Sequence, residues 1–79
     1  MIEQILEDRQ EKYGDAAENF ALIGRLWGAI LATDDLAPEE VAVMMIALKS
    51  VRILKNPTYS DSWDDIVGYV TVGREIVGA

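Results

Sequence analysis

Apolar residues recur along this chain at helical rather than strand spacing. Ile2, Ile5, Leu6, Arg9 and Tyr13 fall at helical spacing, which predicts a short amphipathic helix over 2–12, ended by Gly14. Asp15 and Glu18 have the spacing of a capping box. Phe20, Ile23, Leu26, Trp27, Ile30 and Leu31 then form one broad apolar face, so a second helix is expected over 15–32. Thr33-Asp34-Asp35 reads as a turn. Pro38 suits the first position of a helix, Glu39 and Glu40 complement its dipole, and the apolar pattern carries this third helix over 38–55. Asn56-Pro57 stops it, because proline disfavours helical backbone in the residue before it. Ser60 or Ser62 is placed to cap a fourth helix over 61–77, with Ile66, Tyr69, Val70, Ile76 and Val77 as its apolar positions. There is no internal repeat and no strand-like alternation. The expectation is a single all-α domain over 1–79, a compact bundle of about four helices.

Two features of the pattern ask for a neighbour. Gly24 and Gly28 lie four apart in the second helix, where each glycine costs about 1 kcal/mol relative to alanine; they either admit another backbone at close range or are incidental small residues. In the third helix Val41, Val43, Met44, Met45, Ile46, Leu48, Val51, Ile53 and Leu54 cover nearly the whole circumference. A monomer of four helices has no way to bury them all, so a homo-oligomer joined through helix 38–55 is expected.

Size and composition narrow the chemistry. A 79-residue domain buries only about 60% of the surface its unfolded chain exposes. With neither Cys nor His, the thiol nucleophile, the imidazole base and the usual zinc ligands are missing, and hard oxygen donors are what is left. Fourteen acids against seven bases give a net charge of −7, which repels polyanions and argues against nucleic acid as a partner. The longest apolar run, Val41 to Leu48, is far short of the roughly 20 residues that span a bilayer. Glu3, Glu7 and Asp8 stand where a signal peptide would be basic and then apolar. A cytoplasmic protein without membrane contact is expected.

The last third of the chain carries the candidate chemistry. Lys49 and Arg52 are three apart and Asp61 and Asp65 four apart, so each pair shares one helix face, and the short turn at Asn56-Pro57 folds the two faces together. Cations opposite carboxylates suit a triphosphate held through a divalent ion, Mg2+ or Mn2+, because the metal bridges acid and phosphate while the cations neutralise the remaining charge. Structural roles compete with these. Asp61, Asp64 and Asp65 also lie in a first helical turn, where the dipole favours acids, and a salt bridge from Lys49 or Arg52 to Asp61 or Asp65 could be purely structural. Glu18 is either a capping residue or a third acid for the cluster, with Asn19 beside it to orient it. Tyr69 extends the Asp61 and Asp65 stripe, either toward a ligand or as half core. Trp27 and Trp63 read as packing groups, and no glycine-rich phosphate loop is present.

Lys12-Tyr13-Gly14-Asp15 with Asn19, Lys49-x-x-Arg52, Asn56-Pro57 and Asp61-Ser62-Trp63-x-Asp65-Ile66-x-Gly68-Tyr69 together resemble the short helical phage and prophage proteins grouped with MazG-like all-α nucleoside triphosphate pyrophosphohydrolases. The dATP/dGTP diphosphohydrolase N-terminal domain is a relative of that group. The resemblance runs from about Arg9 to Tyr69. It implies magnesium held by carboxylates, attack of water between the α and β phosphates, and release of a nucleoside monophosphate and pyrophosphate. It makes Asp61 and Asp65 metal ligands, Lys49 and Arg52 phosphate contacts, and Asn56 a ligand-lining residue with Asn19 and Tyr69. The better-known enzymes carry a Glu-x-x-Glu pair where this chain has Leu48-Lys49-Ser50-Val51-Arg52, and Glu18 is the available substitute. Two other functions fit the same features: an oligomer that binds or sequesters a nucleotide without cleaving it, and a small helical protein-interaction module.

Overall fold

A computed structural model of the chain describes residues 15–79, and the helix expected over 2–12 lies outside them. The described residues form three helices and no strand: α1 (Ala16–Leu31), α2 (Pro38–Lys55) and α3 (Ser60–Val77).

Each boundary has a local cause. Asp15 caps α1, its carboxylate accepting the Ala17 N–H at 3.0 Å. The return bond from Glu18 that would complete a capping box does not form, and Glu18 is exposed. At the other end Ala32 adopts a left-handed conformation (φ 56°), and the Ala32 and Thr33 N–H groups return to the carbonyls of Ala29 and Gly28. Pro38 begins α2 as its spacing predicted, and Glu40 Oε1 reaches back to accept the Ala37 N–H at 2.9 Å. The expected serine cap of α3 is corrected: Tyr59 holds the N-cap position with no side-chain bond to the helix backbone, while Ser60 and Ser62 are already helical. Ser62 is instead buried, spent on packing rather than on capping.

The loop after α1 folds back along it. Thr33 N–H donates to the Gly28 carbonyl at 2.9 Å and Leu36 N–H to the Gly24 carbonyl at 3.1 Å, so the loop backbone lies directly on the two glycines. Both are buried. A Cβ at Gly24 would overlap the Leu36 carbonyl oxygen, and one at Gly28 would sit 2.6 Å from that of Asp34. The glycine pair is therefore kept for close backbone approach, one of the two roles open to it in the sequence.

α2 and α3 make the most extensive contact. Ala42 faces Gly73 near one end and Lys49 meets Asp65 toward the other, pairs that step forward along one helix and backward along its partner, so the two run antiparallel. The core here is thin: Val41 and Ala42 are the buried apolar residues of this pair, joined by Ser62. α1 packs mainly on α2 and touches α3 at few points, one of them the tilted pair of Phe20 and Tyr69 rings with centroids 6.2 Å apart.

The glycines separate a backbone constraint from mere helix propensity. Gly24→Ala is expected to cost at least about 3 kcal/mol, since the added methyl group meets backbone that cannot rotate away. Gly73→Ala, whose new Cβ would meet the Ala42 Cβ at 3.4 Å, should change stability by no more than about 1 kcal/mol, with better helix propensity favouring the variant. Urea unfolding of both variants checks this; equal effects would show that the loop does not lie on Gly24.

Candidate functional site

The α2–α3 hairpin closes through the four residues between its helices. Asn56 N–H returns to the Arg52 carbonyl at 2.9 Å and Tyr59 N–H to that of Asn56 at 3.2 Å. The Trp63 indole N–H donates to the Pro57 carbonyl at 3.0 Å, tying the first turn of α3 to the loop before it. This fixes where α3 begins, and with it which of its residues face α2.

An open cleft of about 400 Å³ lies between the end of α2 and the start of α3. Lys49 and Arg52 line it from α2, Tyr59 from the loop, and Asp61, Ser62, Asp64 and Asp65 from α3. Lys49 Nζ stands 2.9 Å from Asp65 Oδ2, with 16% of the lysine side chain and 37% of the aspartate side chain exposed. Such a pair lies between the regimes of a surface ion pair and a fully desolvated one. Tyr59 OH donates to Asp61 Oδ2 at 3.0 Å. That hydrogen bond, and after it the charge of Asp61, raises the Tyr59 phenol above its ordinary value of about 10; Lys49, the smallest influence, works the other way. The side chains of Arg52 and Asp64 make no ion pair or hydrogen bond among the described residues.

Four of the residues singled out in the sequence thus converge: Lys49, Arg52, Asp61 and Asp65. The other four stand elsewhere. Glu18 is exposed in the first turn of α1, and that helix lies against α2 with little contact to α3. Asn19 is half-buried next to it. Asn56 serves as the C-cap of α2, and Tyr69 packs on Phe20. Tyr59, Ser62 and Asp64 line the cleft without having been predicted to. Asp64 carried a usable signal, since it follows Asp61 by three residues and shares its face; Tyr59 carried none, because its position depends on how the loop closes.

Asp61 and Asp65 are hard oxygen donors one helical turn apart, a set that fits Mg2+ or Mn2+ where phosphate oxygens and water complete the octahedron. Among the described residues no group of three or more acidic side chains stands close enough to hold an ion by itself. Asp61 and Asp65 are the residues of the cleft that could hold a metal, and other ligands would have to complete its shell.

The family described as a domain of unknown function, DUF6378, matches residues 2–77. The chain belongs to that family. The match takes in all three helices and the whole cleft, so the cleft is part of the DUF6378 domain and not an appendage to it. The chain is also similar to the Gene 55 protein of Mycobacterium phage L5, with 47% identity over 64 residues that cover 81% of this chain and 41% of the phage protein. It therefore spans less than half the length of that relative. No solved structure matches it. Neither the family description nor the name of the phage protein states an activity. None of the described helices is long and apolar enough to cross a membrane.

The Tyr59–Asp61 bond can be read in solution. Subtracting the ultraviolet alkaline titration of Tyr59→Phe from that of the wild type isolates the Tyr59 phenol, which should ionise above about pH 10. Because its folded value is raised, the stability contributed by the bond is complete below that pH and is lost as pH rises through the folded value. Asp61→Asn should bring the ionisation back toward 10; an unchanged titration would mean that the bond is not populated.

Proposed function

We propose that this chain is a magnesium-dependent pyrophosphohydrolase-like protein of phage or prophage origin, acting in the host cytoplasm on a nucleoside or deoxynucleoside triphosphate. The observation that carries it is the meeting of Lys49 and Arg52 with Asp61, Asp64 and Asp65 in one cleft. Two cations against three carboxylates leave one negative charge in excess, so a bare triphosphate is repelled and one carrying a divalent ion is not. The similarity to a phage protein supports the origin.

Bound magnesium would polarise the phosphate and lower the pKa of a coordinated water. Asp61 and Asp65 would hold it, and Arg52 would neutralise charge on the phosphates. Asp64, the acid of the cleft with no partner among the described residues, would take the proton of the attacking water as pyrophosphate leaves from the α phosphorus. A second function keeps the cleft and omits the cleavage: nucleotide binding or sequestration without hydrolysis. It is favoured by the absence of a cluster of three acids among the described residues and by the pairing of Asp65 with Lys49.

Pyrophosphate release from a panel of ribo- and deoxyribonucleoside triphosphates in Mg2+ or Mn2+ tests the proposal. Asp65→Asn, nearly isosteric, should lower turnover by about two orders of magnitude or more while the fold survives. No release from any triphosphate, with nucleotide binding retained, would transfer the case to the sequestering protein.

We also infer that the chain associates with itself through α2. Met44, Leu48, Val51 and Leu54 form a stripe along that helix, and Leu54 is 83% exposed. The expected mass by light scattering is a multiple of 8.8 kDa, falling toward one chain in Val51→Glu. A wild-type monomer would rule the interface out.

A further inference from the structure

Both carboxylates assigned to a cation above are already occupied by donors of the chain itself. Tyr59 OH holds Asp61 Oδ2 at 3.0 Å, and Lys49 Nζ holds Asp65 Oδ2 at 2.9 Å. These two contacts differ in what they leave open. A phenol leaves the carboxylate its charge and its remaining lone pairs, so Asp61 can accept a metal with the bond intact. An ammonium brings the positive charge that a metal would bring, and at the same oxygen the two exclude one another. The same pairing also keeps Lys49 from an anion. Arg52, with no ion pair among the described residues, is open to phosphate at no such cost.

We propose that Lys49 is a latch that couples the cation to the phosphate: a divalent ion arriving at Asp65 displaces the ammonium, which turns to the phosphate oxygens, so the two bind cooperatively and each alone binds poorly. Lys49 stands in for the ion in the empty cleft and serves the anion in the filled one. The proposal rests on the metal–phosphate function of the cleft. By linkage the coupling is reciprocal: the phosphate must favour the cation by the same factor as the cation favours the phosphate.

Each half of the latch can be opened without the other ligand present, which avoids chelation of the metal by phosphate in solution. Lys49→Met frees Asp65, and Mn2+ alone, followed by electron paramagnetic resonance, should bind roughly tenfold more tightly than to wild type. Asp65→Asn frees Lys49, and inorganic triphosphate alone, followed by calorimetry without metal, should gain by a similar factor. Two controls remove the same charges without opening the pair. Arg52→Met for the manganese arm and Asp64→Asn for the triphosphate arm should each gain no more than about threefold. Lys49→Gln serves where the methionine variant melts below the assay temperature. The latch is overturned if Lys49→Met gains no more than Arg52→Met, or Asp65→Asn no more than Asp64→Asn, while wild type binds Mn2+ and triphosphate together. If wild type binds no combination of the two and neither variant binds its ion, the function proposed for the cleft fails, and the latch with it.

Discussion

The close approach of α2 and α3 is the constraint on which the site depends. Helices pack at about 8–10 Å between axes according to the side chains between them, and here those side chains are small. Ala42 meets Gly73, and Ser62 is buried near the start of α3. A larger residue at Gly73 would move the helices apart at one end of the hairpin. The separation there governs the other end, where Lys49 must reach Asp65 at 2.9 Å across the same pair of helices. A polar site thus draws its geometry from a contact that contains almost no polar chemistry. The four-residue turn with the Trp63 bond to Pro57 supplies the second constraint, by setting the rotation at which α3 begins.

How much of this was legible depended on whether the signal was local. The bounds of α2 followed from Pro38, from Asn56 before Pro57 and from the continuous apolar run between them, all of which act within one or two residues. The bounds of α1 differed from expectation by one residue at each end, within the usual fraying. The four-residue spacing of Gly24 and Gly28 left a close approach open beside an incidental role, and did not say that a loop of the same chain, rather than a neighbouring helix, would lie on them. That Lys49, Arg52, Asp61 and Asp65 would come together was legible because two helix faces and a short turn left one way to bring them together. Glu18 and Tyr69 show where that logic stops. Their position relative to the cleft depends on how α1 sits on the hairpin, and no spacing within a single helix encodes that. The capping of α3 misled for a related reason: serine is a good cap in isolation, but Ser62 was needed by the packing.

The electrostatics of the cleft follow from a chain whose net charge is −7. A phosphate ligand approaching such a surface is slowed and opposed unless local charge compensates. Lys49 and Arg52 compensate in part, but three carboxylates share the cleft with them. A site evolved for an anion alone would gain by losing those acids, and one for a cation alone by losing the bases. Both signs together would suit the composite ligand proposed for the cleft, a metal with its phosphate. The ion pair of Lys49 and Asp65 joins the two sides of the cleft, so that neither charge is left unpartnered on a partly buried surface.

The same smallness that builds the site leaves much of the apolar surface uncovered. Among the described residues only Val41 and Ala42 are buried apolar side chains, while Leu22, Leu26 and Ile30 on α1 and Met44, Leu48, Val51 and Leu54 on α2 are exposed. Stripes at helical spacing, continuous over two or three turns, cost solubility and contribute nothing to stability while they face water. Lys49 and Arg52 turn toward α3, and Arg52, one turn beyond Leu48, borders the Met44, Leu48, Val51 and Leu54 stripe. The association proposed for that stripe would cover apolar surface next to the cleft and stiffen the helix that carries Lys49 and Arg52. Under that proposal the broad apolar pattern of α2 and the two charges interrupting it would answer neighbouring demands on one helix, stability and access to the cleft.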